Sequence, residues 1–84
     1  MNRRKAVGPA TEYIAGELRA QRARLGWTFD DVEKNTGVPR STAERASRGD
    51  SAIPVEVLVQ LCIGMGLDAG EVLNGSVKAS GGKP

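Results

Sequence analysis

The chain has 84 residues, a length that predicts one domain with a thin hydrophobic core and leaves no room for a second domain. Its formal charge is only +2, but residues 1–50 carry ten basic and seven acidic side chains, whereas residues 51–76 carry three acidic side chains and no basic one. This asymmetry favours a nucleic-acid surface in the first half of the chain, with a mixed solvated surface as the alternative.

The residue types that enzymes and metal sites use most are scarce in this sequence. Histidine is absent, which removes the commonest general base and the commonest metal ligand. With a single cysteine, neither a Cys/His zinc site nor a disulfide within the chain can be assembled. No glycine-rich phosphate loop stands between a strand and a helix. We therefore expect no enzyme, no cofactor, no metal and no small-molecule substrate.

The sequence predicts a cytoplasmic protein with no membrane partner. Its longest apolar run is far too short to span a bilayer. The basic start of the chain is not followed by the apolar core of a signal peptide. The single cysteine, Cys62, fits a reducing compartment, and its place on an apolar helical stripe predicts a buried and unreactive thiol.

The chain is predicted to divide into three parts. Residues 1–10 are expected to form a flexible basic arm, because three basic residues precede a Gly-Pro break. Residues 75–84 are rich in glycine and serine, which predicts a disordered tail. Residues 11–74 are expected to form the folded domain. They contain no period-two alternation long enough for a sheet, so the predicted fold class is all-α.

Five short helices are predicted in a compact bundle, in chain order over about 11–25, 29–35, 40–48, 54–65 and 69–73. Thr11 is a candidate N-cap for the first helix, and Thr28 caps the second with Asp31 three residues later, a variant of the capping box. Pro39 and Pro54 stand at the entrances of the third and fourth. A glycine follows each of the first four helices, as is typical of a helix C-terminus.

The spacing of apolar residues predicts which face of each helix is buried. The predicted inward residues are Ile14, Leu18, Leu25, Val38, Ala43, Ala46, Leu58, Leu61, Cys62, Met65, Val72 and Leu73. The second and third helices are joined by Asn35-Thr36-Gly37-Val38, and such a glycine-containing turn between two short helices is typical of a helix-turn-helix. Glycine permits the positive φ of the turn, and Val38 is expected to set the angle between the helices.

A resemblance to known proteins covers about residues 12–74 and rests on an ordered set of residues. These are Leu25-Gly26-Trp27-Thr28, Val32, Gly37-Val38-Pro39-Arg40-Ser41-Thr42, Arg48-Gly49, Pro54, Leu58, Leu61, Gly66-Leu67 and Val72-Leu73. This set resembles the lambda-repressor/Cro-type (XRE-like) helix-turn-helix family. The sequence departs from the family at Phe29, where a glutamine usually holds a DNA phosphate, at Ala46, where a large aliphatic is usual, and at Ser47, where an acid often pairs with the first helix. Phe29 and Trp27 are expected to fill the volume that small residues leave open.

The resemblance implies that the third helix docks in the major groove of DNA with its first residues at base edges. Carried over by position, the base-contacting residues are Arg40, Ser41, Glu44 and Arg45, with Glu44 either accepting from a cytosine amine or orienting Arg40 or Arg48. The implied phosphate-contacting residues are Arg22, Thr28, Lys34, Thr42 and Arg48. The arm residues Arg3, Arg4 and Lys5 are predicted to track phosphates, or else to be a solvated terminus.

The predicted function is sequence-specific binding of double-stranded DNA by a small transcriptional regulator, a repressor or Cro-like protein of phage or mobile-element origin. The family implies a homodimer on a palindromic operator, with an interface around Leu67, Val72 and Leu73. The alternative is a protein-interaction module, such as an antitoxin or anti-repressor that uses the same fold.

Overall fold

A computed structural model describes residues 7–82, and within them the chain forms five α-helices and no β-strand. In chain order, α1 to α5 span Pro9–Leu25, Phe29–Thr36, Arg40–Arg48, Val55–Met65 and Ala69–Ala79. The all-α prediction is confirmed. The capping box at Thr28 and Asp31 is also as predicted. Of the predicted arm, residues 1–6 lie outside the described residues.

The helix α1 begins two residues earlier than predicted. Gly8 is its N-cap, with an extended backbone, and Pro9 is its first residue, so Thr11 is not the cap. Proline is well suited to this position because its φ is already helical and its missing N–H has no partner to lose. The last two residues of the predicted arm therefore belong to α1.

The helix α5 continues to Ala79, so the prediction that it ends near Leu73 and that a disordered tail starts at residue 75 is wrong for residues 75–79. Gly75 does not end the helix. A Cβ at this position would collide with the ring of Tyr13, so the glycine allows α1 and α5 to approach closely. Ser76, which follows it, is buried, and its hydroxyl donates to the carbonyl of Leu73 at 2.7 Å.

Two leucines that were predicted to face inward are exposed. Leu73 is 48% exposed because it follows Val72, which is buried, and consecutive residues point about 100° apart around a helix. Leu25 is 37% exposed, since it is the last residue of α1 and lies beyond the part of that helix that is buried.

All five helices contribute to one core. Its least exposed large side chains are Leu18, Val32, Val38, Leu61 and Cys62. Burial raises the pKa of the Cys62 thiol above its usual value, which disfavours the reactive thiolate. The helix α1 packs mainly against α5, and α2 packs against α4 and α3.

Gly64 and Gly16 provide a matched pair of substitutions that tests the packing of α2 against α4. A Cβ at Gly64 would lie 2.6 Å from the methyl group of Thr36 and 2.8 Å from the carbonyl oxygen of Asn35. We expect Gly64→Ala to lower the free energy of unfolding by about 1–3 kcal/mol through overpacking. At Gly16 the nearest atom to a Cβ is an arginine nitrogen at 3.7 Å, so Gly16→Ala should raise stability by about 0.5–1 kcal/mol. Urea denaturation measures both, and equal effects would contradict the close contact at Gly64.

Candidate nucleic-acid interface

The start of α2 is held by two reciprocal hydrogen bonds. The Asp31 N–H donates to the hydroxyl oxygen of Thr28 at 3.1 Å, and the Thr28 N–H donates to the Asp31 carboxylate at 2.9 Å. The bond from the Thr28 N–H, and next to it the Thr28 hydroxyl, favour the ionised carboxylate and hold the pKa of Asp31 below its usual value. The predicted phosphate-contacting residue Thr28 thus lies at a well-defined helix terminus.

The turn between α2 and α3 is fixed by local contacts. Gly37 has a φ of +79°, and its N–H donates to the carbonyl of Glu33 at 2.9 Å. The Thr36 hydroxyl donates to the carbonyl of Val32 at 2.7 Å and accepts from the Val38 N–H at 3.1 Å. Val38 is fully buried. This turn therefore sets the direction in which α3 leaves α2.

The helix α3 has one buried face and one exposed face. Ala43, Ala46 and Ser47 are buried against the rest of the domain. We define the exposed face of α3 by its outward polar side chains, of which Glu44 is half-exposed and the others are exposed: Arg40, Ser41, Glu44, Arg45 and Arg48. All four predicted base-contacting residues lie on this face, while Thr42 beside it is half-buried.

Arg40 is held between two carboxylates. Its Nε donates to the Glu44 carboxylate at 3.2 Å, and an Nη donates to the Asp30 carboxylate of α2 at 3.1 Å. Both contacts favour the charged form and raise the pKa of Arg40, chiefly through the bond to Glu44. Glu44 was predicted either to accept from a cytosine or to orient an arginine, and its contact in the structure is with Arg40. Sequence reasoning missed Asp30, because its distance from Arg40 depends on the angle between α2 and α3.

Arg22 of α1 lies over the ring of Phe29, with its guanidinium carbon 4.2 Å from the ring centre. One Nη donates to the carbonyl of Trp27 at 2.8 Å, which ties the end of α1 to the loop before α2. The neighbouring Arg19 donates to the carbonyl of Ser47 at 2.7 Å. Phe29 and Ser47, two of the three departures from the family pattern, therefore both lie against arginines of α1.

The remaining predicted phosphate-contacting residues are dispersed. Arg48 pairs with Asp50 at 3.2 Å and lines the same cavity as Arg22, at the edge of the exposed face of α3. Lys34 is in the last turn of α2, at the opposite end from Thr28. The predicted arm residues Arg3, Arg4 and Lys5 lie outside the described residues.

The geometry agrees with a family model that matches the chain. A model described as a helix-turn-helix domain matches residues 14–74, so the chain belongs to the helix-turn-helix domain family. Domains of this family bind DNA and are typically not enzymes. The match confirms the resemblance to the lambda-repressor/Cro-type proteins.

No curated protein and no solved structure matches the chain. Within residues 7–82, no group of three acidic or cysteine side chains is placed to hold a metal ion. No helix in that part of the chain is long and apolar enough to cross a membrane.

Proposed function

We propose that the protein is a sequence-specific transcriptional regulator, repressor or Cro-like, that binds double-stranded DNA through the exposed face of α3. The observation that carries the proposal is the two-sided character of this helix. Its small apolar residues anchor it to the core, and its arginines point outward at the end of a rigid turn. A helix presented in this way can enter the major groove and bring its side chains to base edges.

We assign base contacts to Arg40, Ser41, Glu44 and Arg45. A guanidinium has five N–H donors, so Arg40 keeps donors for guanine while two of them bind Glu44 and Asp30. No carboxylate lies within ion-pair distance of Arg45 among the described residues, which leaves its guanidinium available for a base. Phosphate contacts from Arg22, Thr28, Lys34, Thr42 and Arg48 would position the protein without reading sequence.

We propose that the regulator binds a palindromic operator as a homodimer, with half-sites about 34 Å apart. Val72 is buried in the core and cannot take part in the interface that the sequence predicts. Leu73 and Val77 are exposed one turn apart on α5 and, with the half-buried Leu67, offer an apolar surface for a second copy. A phage or mobile-element origin and a cytoplasmic location remain part of the proposal.

A second candidate function is a protein-interaction module, such as an antitoxin or anti-repressor. One specific observation favours it: Val55, Val59 and Ile63 form an exposed apolar row along α4, spaced one turn apart. Apolar side chains that continue along one helix face are a common feature of protein-binding surfaces.

Gel-shift titration on the promoter of the protein's own operon separates the two functions. Tight binding that survives excess random duplex supports the regulator. Binding only to the product of a neighbouring gene, with no preference for the promoter, supports the interaction module and contradicts the regulator.

Deletion of residues 2–6 tests the proposed role of the arm. Three cationic contacts to phosphate would each add about 0.9 to the slope of log K against log salt concentration, so the deletion should flatten the slope by up to about 2.7. Specific and random duplexes should lose affinity alike, because phosphate contacts carry no sequence information. An unchanged slope would mean that the arm is only a solvated terminus. A loss of affinity confined to the specific duplex would mean that the arm reads sequence or shape.

A further inference from the structure

A cavity of about 570 Å³ lies beside the exposed face of α3, between the second half of α1 and the start of α2. Three arginines line it, Arg19, Arg22 and Arg48, together with the ring of Phe29. We call it the arginine cavity. Arg48 also belongs to the exposed face of α3, so the cavity and the proposed DNA surface are continuous.

The arginine cavity contains positive charge that has no counter-ion among residues 7–82. Two carboxylates also line it, but Glu44 is bonded to Arg40 and Asp50 is bonded to Arg48, both at 3.2 Å. No carboxylate lies within 4.0 Å of the guanidinium of Arg19 or Arg22 in the part of the chain that the structure describes. An anion entering the cavity would therefore meet two guanidinium groups without displacing an internal ion pair.

Both guanidinium groups are held in place before any ligand binds. Arg19 donates to the carbonyl of Ser47, and Arg22 donates to the carbonyl of Trp27 while lying on the ring of Phe29. Each group keeps unused N–H donors. The Nε of Arg22 is buried and has no hydrogen-bond partner among residues 7–82, and such an atom calls for an acceptor.

We propose that the arginine cavity binds a phosphate group carried by an organic molecule. Arg19 and Arg22 would bind the phosphate, and Phe29 would position Arg22 through the ring contact. A volume of about 570 Å³ exceeds that of a phosphate alone and leaves room for an attached sugar. Such a phosphate group can belong to a nucleotide of the DNA backbone or to a free nucleotide. Binding of the DNA backbone in the cavity rests on the proposed function, whereas binding of a free nucleotide does not.

The first test uses inorganic phosphate and the full chain in the absence of DNA. We expect phosphate, added at constant ionic strength against a chloride control, to shift the NMR signal of the Arg22 Nε–H saturably. Arg19→Gln should weaken this binding at least about tenfold, the loss of one charge-assisted contact. The matched control is Arg24→Gln, which removes the same charge from the same helix at a residue that does not line the cavity.

A second variant tests the contact between Arg22 and the ring of Phe29. Phe29→Leu retains apolar volume but removes the ring face under Arg22, and we expect weaker phosphate binding at unchanged helical content. The proposal is overturned if chloride shifts the signal as phosphate does, or if Arg24→Gln weakens binding as much as Arg19→Gln.

A second set of titrations distinguishes the sources. If the cavity binds the DNA backbone, Arg19→Gln should lower the affinity for every duplex and flatten the slope of log K against log salt concentration by about 0.9. Arg24→Gln should then leave both the affinity and the slope unchanged. For a free nucleotide, a nucleoside monophosphate should bind more tightly than inorganic phosphate, and Arg19→Gln should leave the salt slope unchanged. Phosphate binding without any DNA binding by the wild type would contradict the proposed function alone. DNA binding without phosphate binding would overturn the proposal that the cavity binds phosphate and would leave the proposed function standing.

Discussion

Arg45→Ala is expected to lower the affinity for the preferred duplex by about 1–3 kcal/mol, or about 5- to 150-fold, and to relax base preference at one position of each half-site. Arg45 is exposed on α3 and has no carboxylate partner within residues 7–82, so nothing in the described domain competes with a guanine for its guanidinium. Fluorescence anisotropy at fixed salt, on the preferred duplex and its single-base variants, measures both effects.

Two further variants show whether this loss comes from base reading. Arg40→Ala should also lower affinity, but it leaves the carboxylates of Asp30 and Glu44 without their cation, so random duplexes should lose affinity as well. Lys78→Ala removes one positive charge from α5 and should leave binding unchanged. Unaltered affinity in both arginine variants would mean that α3 is not the recognition helix.

Leu73→Asp is expected to convert the proposed homodimer into a monomer and to lower affinity for the proposed operator about 100-fold or more, because each half-site must then be bound independently. Leu73 and Val77 are exposed at i and i+4 on α5, and a carboxylate in place of Leu73 would have to be desolvated on association. Sedimentation equilibrium measures the oligomeric state, and the titrations on full and half operators measure the affinity.

The control for the dimer is Ile63→Asp on α4. Ile63 is 76% exposed, more than Leu73, so the new charge there should leave the dimer intact if the interface uses α5. Dissociation by Ile63→Asp but not by Leu73→Asp would move the interface to α4. A wild-type protein that is monomeric and binds a single half-site one-to-one would contradict the dimer altogether.

Local signals explain which parts of the fold could be predicted from the sequence. The bounds of α3 follow from Pro39 and Gly49, and the start of α2 follows from the cap at Thr28, because each acts within a few residues of itself. The end of α5 could not be predicted in the same way. Gly75 looks like a helix breaker until Tyr13 is seen against it, and that contact joins residues 62 positions apart.

The candidate site likewise has features that follow from local sequence and features that depend on how the helices pack. Helical spacing alone predicts that Arg40 and Arg45 share an outward face, because this requires only the period of α3. The contact of Asp30 with Arg40 and the stacking of Arg22 on Phe29 depend on how helices cross. Sequence spacing carries no information on crossing angles, so these contacts, and the cavity that they border, emerge only from the folded chain.

Selection of the purified 84-residue chain against a library of random duplexes tests sequence-specific recognition by α3 most directly. We expect enrichment of an inverted repeat whose half-site centres lie about 34 Å apart, with a guanine at a position that loses its preference in the Arg45→Ala protein. A library that shows no enriched sequence after repeated rounds, from a protein that is folded and binds DNA only through salt-sensitive contacts, would contradict sequence-specific recognition by α3.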